Sequence, residues 1–231
     1  MFGTRKPVAA SRTLRTLAAL LAYPDANLRE ALVQMRDVLR SEQALSASRL
    51  AELESLMATL ARRDNLDNEA EYVSLFDRGR ATSLHLFEHV HGDSRDRGPA
   101  MIDLAQTYEK AGLYLGEGEM PDYLPVMLEF LSTQPPREAQ AFLAEMSHIF
   151  NAVFNALQQH ASAYASVLGA LLELAGEEAQ AVKLAPEEDL DTSWAEPPVF
   201  DGCSTKGQAT PGQPQPIHFV RTTQPHQGAS S

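Results

Sequence analysis

Three of the chain's seven histidines, His85, His89 and His91, fall within seven positions. Glu88, Asp93 and Asp96 stand beside them, and Arg78, Arg80, Arg95 and Arg97 alternate with these acids and with Asp77. Two chemistries suit such a run. His85 and His89 are four residues apart, so on a helix both imidazoles share one face, and Glu88 or His91 could add a third metal ligand. No His-Glu-x-x-His motif accompanies them, and the one cysteine, Cys203, is remote in sequence. Helix capping, carboxylate pairing and partial burial account for the same histidines without a metal. The second chemistry is recognition. Arginine forks and carboxylates pair with one another to hold a loop, or receive a charged ligand.

Nucleophilic catalysis finds no anchor. The sequence has no Gly-x-Ser-x-Gly elbow and no Gly-x-x-x-x-Gly-Lys phosphate loop. The glycines at 112, 116 and 118 follow a helix rather than a strand. The chain reads as a protein without catalytic activity.

The elements that carry these residues are helical. Ser11 can cap a helix bearing Leu14, Leu17, Leu20 and Leu21, which Tyr23-Pro24-Asp25 ends. Leu28, Leu32, Met35 and Leu39 mark a second helix, from about Asn27 to Leu39. A third starts at Ser46 or Ser48 and carries Leu50, Leu53, Leu56, Met57 and Leu60. A fourth begins near Asn65 or Asp67 and carries Tyr72, Leu75 and Phe76. The charged run then breaks the pattern. A helix from about Ser94 turns Met101, Ile102, Leu104, Ala105 and Tyr108 inward and ends near Gly112. Pro121 suits the first turn of the next helix, Tyr123 to Leu131, with Asp122 near its positive end. One long helix, Arg137 to about Gln159, and a last one, about Ala161 to Ala175, complete the pattern.

No segment shows convincing period-two alternation, so the expected fold is all-α. Residues 1–10 read as a flexible arm and 11–184 as one helical domain. Residues 185–231, rich in Pro, Gly and Gln, read as a largely disordered tail.

A length of 231 residues suffices for such a domain with a tail, and 44% apolar residues is ordinary for a globular chain. The formal net charge of -12 disfavours nucleic acid, whose binding needs lysine and arginine to displace counterions. A single cysteine excludes an intramolecular disulfide and fits a reducing compartment. No signal peptide and no membrane-spanning run is legible, so the expected location is the cytoplasm.

The run Glu71 to Gly98 resembles the signature of NarJ-type nitrate reductase assembly chaperones. Its most specific parts are Leu75-Phe76-Asp77-Arg78-Gly79 and the run from Ser83 to Gly98. Leu20-Leu21-Ala22-Tyr23-Pro24-Asp25, Met120-Pro121-Asp122-Tyr123-Leu124-Pro125 and Leu128-Glu129-Phe130-Leu131 are similar to other motifs of that family, in the same order, across about residues 11 to 180. The resemblance implies a TorD-like helical bundle that is not an enzyme. It implies binding of the N-terminal peptide of the nitrate reductase catalytic (alpha) subunit, a segment like a vestigial twin-arginine signal. The alpha-beta subunit complex is a further possible partner. The client would thereby stay competent for molybdenum cofactor insertion before it docks at the membrane. The chaperone itself would hold no cofactor permanently, would bind no nucleic acid and would not insert into the membrane.

An amphipathic peptide bound in this way needs an apolar groove with a charged rim. The candidate peptide-binding residues are Tyr72, Leu75, Phe76, Asp77, Arg78, His85, Glu88, His89, His91, Asp93, Asp96, Arg97, Tyr123, Leu124, Met127 and Glu129. The alternative is a direct carrier of the molybdopterin nucleotide, its phosphate held by the arginine and histidine loop.

Overall fold

Leucine spacing and short polar caps set the first helices. The computed structural model describes residues 8–92 and 94–181. Most of the expected arm, the expected tail from 185, and Asp93 lie outside the described residues. Helix α1 (Ser11–Leu21) buries Leu14, Leu17, Leu20 and Leu21. Ser11 does not cap it. Ala10 holds the cap position, and the Ser11 hydroxyl donates to the Ser132 carbonyl across the bundle. The chain is already extended at Ala22, ahead of Tyr23-Pro24. Helix α2 (Ala26–Glu42) is capped by Asp25, whose carboxylate accepts the Leu28 N–H at 2.8 Å. Ser46 caps α3 (Ala47–Arg62), and Asp64 caps α4 (Asn65–Tyr72).

Beyond Tyr72 the chain widens into a π-helical turn, Val73–Asp77, closed by the Arg78 N–H on the Val73 carbonyl at 3.2 Å. Leu75 and Phe76 point into the core from this turn. Gly79 then packs against the turn's backbone, and a 3₁₀ turn, Arg80–Thr82, returns the Thr82 hydroxyl to the Leu75 carbonyl.

Helix α5 (Leu86–Val90) is short, and α6 (Arg97–Lys110) starts three residues later than the apolar pattern suggests. The Ser94 hydroxyl accepts the Asp96 N–H at 3.2 Å, which holds that stretch as a turn. Ile102 does not face inward: it is 59% exposed, because it lies two residues, about 200°, around the helix from buried Leu104. The Tyr108 hydroxyl donates to the Pro121 carbonyl at 2.8 Å and ties down the loop that follows. In α7 (Leu124–Thr133) it is Pro125 that occupies the first turn, and Pro121 precedes the helix.

The expected long helix is two, α8 (Pro136–Glu145) and α9 (Ser147–Gln159). At the break the His148 ring bonds the Glu145 carbonyl at 3.1 Å, and the Ile149 N–H turns to Met146 instead. A side chain has entered the backbone ladder, which is a common cause of a kink. Helix α10 (Ala165–Ala175) is buried on nearly every side, as a central helix must be. It packs on α3, α8 and α9, while α1 packs on α2 and α7.

The fold is therefore all-α. Among the described residues these ten α-helices are joined by loops and short turns with no named strand, and the one extended pairing is an isolated antiparallel bridge between His85 and Tyr123. All the helices lie within the unit Met1–Pro186. Among the described residues, no helix is long and apolar enough to cross a membrane.

A Cβ at Gly79 would sit 2.6 Å from the Leu75 carbonyl oxygen and against the Thr82 hydroxyl. Backbone cannot yield as a flexible side chain can. Gly79→Ala is expected to lower unfolding free energy by about 1–3 kcal/mol in urea titrations, with helical content retained.

Candidate functional site

The isolated bridge clips two loops together. The Leu86 N–H donates to the Asp122 carbonyl at 3.0 Å, and the Leu124 N–H to the Leu84 carbonyl at 2.9 Å. This brings residues 83–88, from the charged run, onto residues 121–124, and it buries the Asp122 side chain completely. A buried carboxylate must find donors. Asp122 Oδ1 lies 3.3 Å from His85 Nδ1, while Oδ2 accepts the Phe87 N–H at 3.3 Å and lies 3.6 Å from Arg97 Nη2.

From there the contacts close a ring. Arg97 also reaches Glu88 at 3.4 Å, Glu88 accepts the Ser83 hydroxyl at 2.7 Å, and Ser83 Oγ accepts the His85 N–H at 3.2 Å. The hydrogen bond to Asp122 raises the His85 pKa above the ordinary imidazole range, and burial only partly offsets it. His89 donates Nε2–H to the Ser83 carbonyl at 2.9 Å, and His91 stands edge-on to Phe87. His85 precedes α5 rather than lying on it, so the two candidate metal histidines face different partners. Among the described residues no three His, Cys, Asp or Glu side chains are placed to hold a metal ion.

Beside this ring lies a cavity of about 270 Å³ lined by Tyr23, Tyr72, Phe76, Asp77, Leu84, His85 and Tyr123. The Tyr72 hydroxyl donates to the Leu21 carbonyl at 2.8 Å. Its contact with the Tyr123 hydroxyl at 3.0 Å therefore takes the Tyr123 proton, because a carbonyl can only accept. Tyr23 is 47% exposed at the mouth and donates to Glu69 at 3.0 Å. Burial pushes the Tyr72 and Tyr123 hydroxyls above the ordinary phenol range, and the Glu69 bond does so at Tyr23. The negative charge of Asp77 adds in the same direction at all three.

A second cavity, of about 430 Å³, is lined by Arg80, Ala81, Glu88, Gly92 and Arg97.

The candidate residues thus separate. Tyr72, Phe76, Asp77, His85 and Tyr123 come together around the aromatic cavity, and Glu88 and Arg97 around the charged one. Leu75, Leu124 and Met127 are core residues and present no surface to a peptide. Arg78 is exposed beside the π turn, and Asp96 is exposed and bonded to Ser94. Glu129 lies in a separate apolar cavity of about 380 Å³ with Arg15, Tyr114 and Phe130. Asp93 lies outside the described residues.

Sequence reasoning passed over Tyr23, Ser83, Leu84 and Asp122. A signal existed for Asp122, an acid set between prolines and apolar residues in Met120-Pro121-Asp122-Tyr123-Leu124-Pro125. For Tyr23 it was an aromatic residue held just outside a helix by the proline after it.

Residues 22–169 match the sequence model of the nitrate reductase delta subunit family. The chain is 41% identical over 189 residues to the nitrate reductase molybdenum cofactor assembly chaperone NarJ of Escherichia coli K12, covering 80% of each chain. It is 40% identical over 163 residues to NarW of that organism, described as a "probable nitrate reductase molybdenum cofactor assembly chaperone", covering 71% of this chain and 68% of the relative. Its fold is similar to the crystal structure of a redox enzyme maturation protein from Archaeoglobus fulgidus. The TM-score is 0.54 at 21% identity, over 77% of this chain and all of the other.

Two outcomes are expected at the buried acid. Asp122→Ala leaves the His85 ring and the Phe87 N–H without their acceptor and Arg97 with Glu88 alone, and should cost about 1–3 kcal/mol of stability in urea unfolding. His85 is more easily protonated folded than unfolded, so its contribution is complete below the ordinary imidazole range. It fades as pH rises through the raised folded value. The stability gap between the parent and His85→Gln should accordingly be widest near pH 5.5 and narrow by pH 8.5.

Proposed function

Because the chain belongs to the nitrate reductase delta subunit family, we propose that it is a nitrate reductase molybdenum cofactor assembly chaperone whose aromatic cavity binds the N-terminal segment of the catalytic subunit. Binding keeps that subunit competent for cofactor insertion before the complex docks at the membrane. The chaperone works in the cytoplasm, catalyses no reaction and retains no cofactor of its own.

The observation that carries this reading is the aromatic cavity itself. It lies within the matched residues, opens past a half-exposed Tyr23, and is walled by three tyrosines and Phe76 with Asp77 beside them. Aromatic rings supply contact area at low entropy cost, and an acid at the edge suits a basic segment. The cavity is small, so the contact suits a chaperone that must release its client.

A second reading, direct carriage of the molybdopterin nucleotide, draws on the cavity lined by Arg80 and Arg97. There Arg97 is already shared between Glu88 and Asp122, and the Glu88 carboxylate shares the wall with the arginines. A phosphate would meet that acid, so the peptide reading is the stronger.

Calorimetric titration of the full-length chain with a synthetic peptide copying the N-terminus of the catalytic subunit tests the proposal. A micromolar dissociation constant, about -8 kcal/mol, is expected. Tyr23→Ala, at a half-exposed ring, should weaken it about tenfold with the fold intact. A folded, monodisperse sample that binds no such peptide would sink the reading.

A further inference from the structure

We propose that the cavity between Tyr23, Tyr72, Tyr123 and Asp77 is a cage for a single arginine side chain of the bound segment. It deepens the peptide-binding reading above and rests on it for the identity of the partner that brings the arginine.

Tyr72 spends its hydroxyl proton on the Leu21 carbonyl, Tyr123 spends its own on Tyr72, and Tyr23 spends its own on Glu69. Each phenol oxygen that faces the cavity can then only accept. Asp77 adds a carboxylate, which also accepts only. Apart from His85, whose Nδ1 is held by Asp122, the polar groups of this wall are acceptors, and they call for a ligand rich in donors. Among side chains the guanidinium meets that demand with five N–H groups and no acceptor.

The rings point the same way. Tyr23 and Tyr72 stand edge to face with centroids 5.6 Å apart, and Tyr72 and Phe76 are tilted at 4.8 Å. Ring faces attract cations, and a planar guanidinium can also stack on them while its fork meets a carboxylate.

Charge completes the case. No lysine or arginine lines this cavity. The one basic group in the wall is His85, and its charge is countered by buried Asp122 3.3 Å behind it. Asp77 and, through Tyr23, Glu69 leave the mouth negative. An anion would be repelled there, and a purely apolar side chain would desolvate Asp77 with nothing in return.

The test uses the full-length chain with its tyrosine rings isotope-labelled. It is titrated with N-acetyl-arginine amide and with the citrulline analogue, which has the same shape but no charge. The cage predicts saturable shifts of the Tyr23, Tyr72 and Tyr123 ring signals with the arginine probe and none with citrulline. It predicts about tenfold weaker binding in Asp77→Asn, an exposed site whose change leaves the fold alone. Equal response to both probes, no response to either, or an unaltered Asp77→Asn overturns it.

The client peptide separates this idea from the reading beneath it. If the peptide binds as tightly with its arginines replaced by citrulline, the cage fails and the chaperone reading survives. If the arginine probe behaves as expected while no client peptide binds, the cage stands and the client assignment falls.

Discussion

Burial of the Asp122 carboxylate is the constraint around which the rest of the site is arranged. A charge removed from water must be met by donors, and here they come from two stretches of chain: the His85 ring and the Phe87 amide from the 83–88 loop, and the Arg97 guanidinium from the start of α6. Meeting those demands sets where α5 begins and where the start of α6 must lie. It also holds the 83–88 loop against the loop before α7. Ser83 and Glu88 then complete the ring from the far side, so the loop is held by polar bonds at both edges rather than by burial alone.

The aromatic cavity depends on that arrangement. Tyr123 stands one residue beyond Asp122, bridged to His85, and its ring lies 5.3 Å from the imidazole. The opposite wall comes from the end of α4 and its π turn, which rotates Phe76 against Tyr72 and Tyr164. A regular α-helix through Val73–Asp77 would shift Phe76 and Asp77 around the axis by the extra residue the turn absorbs. The site is thus the junction of one irregular helix, with Tyr164 packed behind its Phe76, and one clipped pair of loops. A rigid bundle holding a cavity at its irregular edge is a sound arrangement for a binding module. The packed helices supply stability, and the irregular segments supply shape.

The helical content was plain in the amino-acid pattern because leucines at helical spacing and Asp or Ser caps are local signals. Leu28, Leu32 and Leu39 are enough to place α2, although the part of Asp25 as its cap emerges only in the structure. The break at Met146 was not legible, since it depends on the His148 side chain taking a backbone carbonyl within an otherwise amphipathic run. Hydrophobicity alone turns Ile102 inward, but its position on α6 puts it outside.

What the sequence determined by itself was the class of fold, the leucine faces of its helices and, through the resemblance carried by residues 71–98 and 120–131, the family. The tertiary structure alone decided which of those residues share a surface. Leu75, Leu124 and Met127 went to the core, while Tyr23 and Asp122, far apart in the chain, joined His85 and Tyr123 at one site. The physical reason is range. Periodicity and caps act over a few residues, but whether an acid such as Asp122 is buried and what must then neutralise it is set by partners about 25 and 37 positions away.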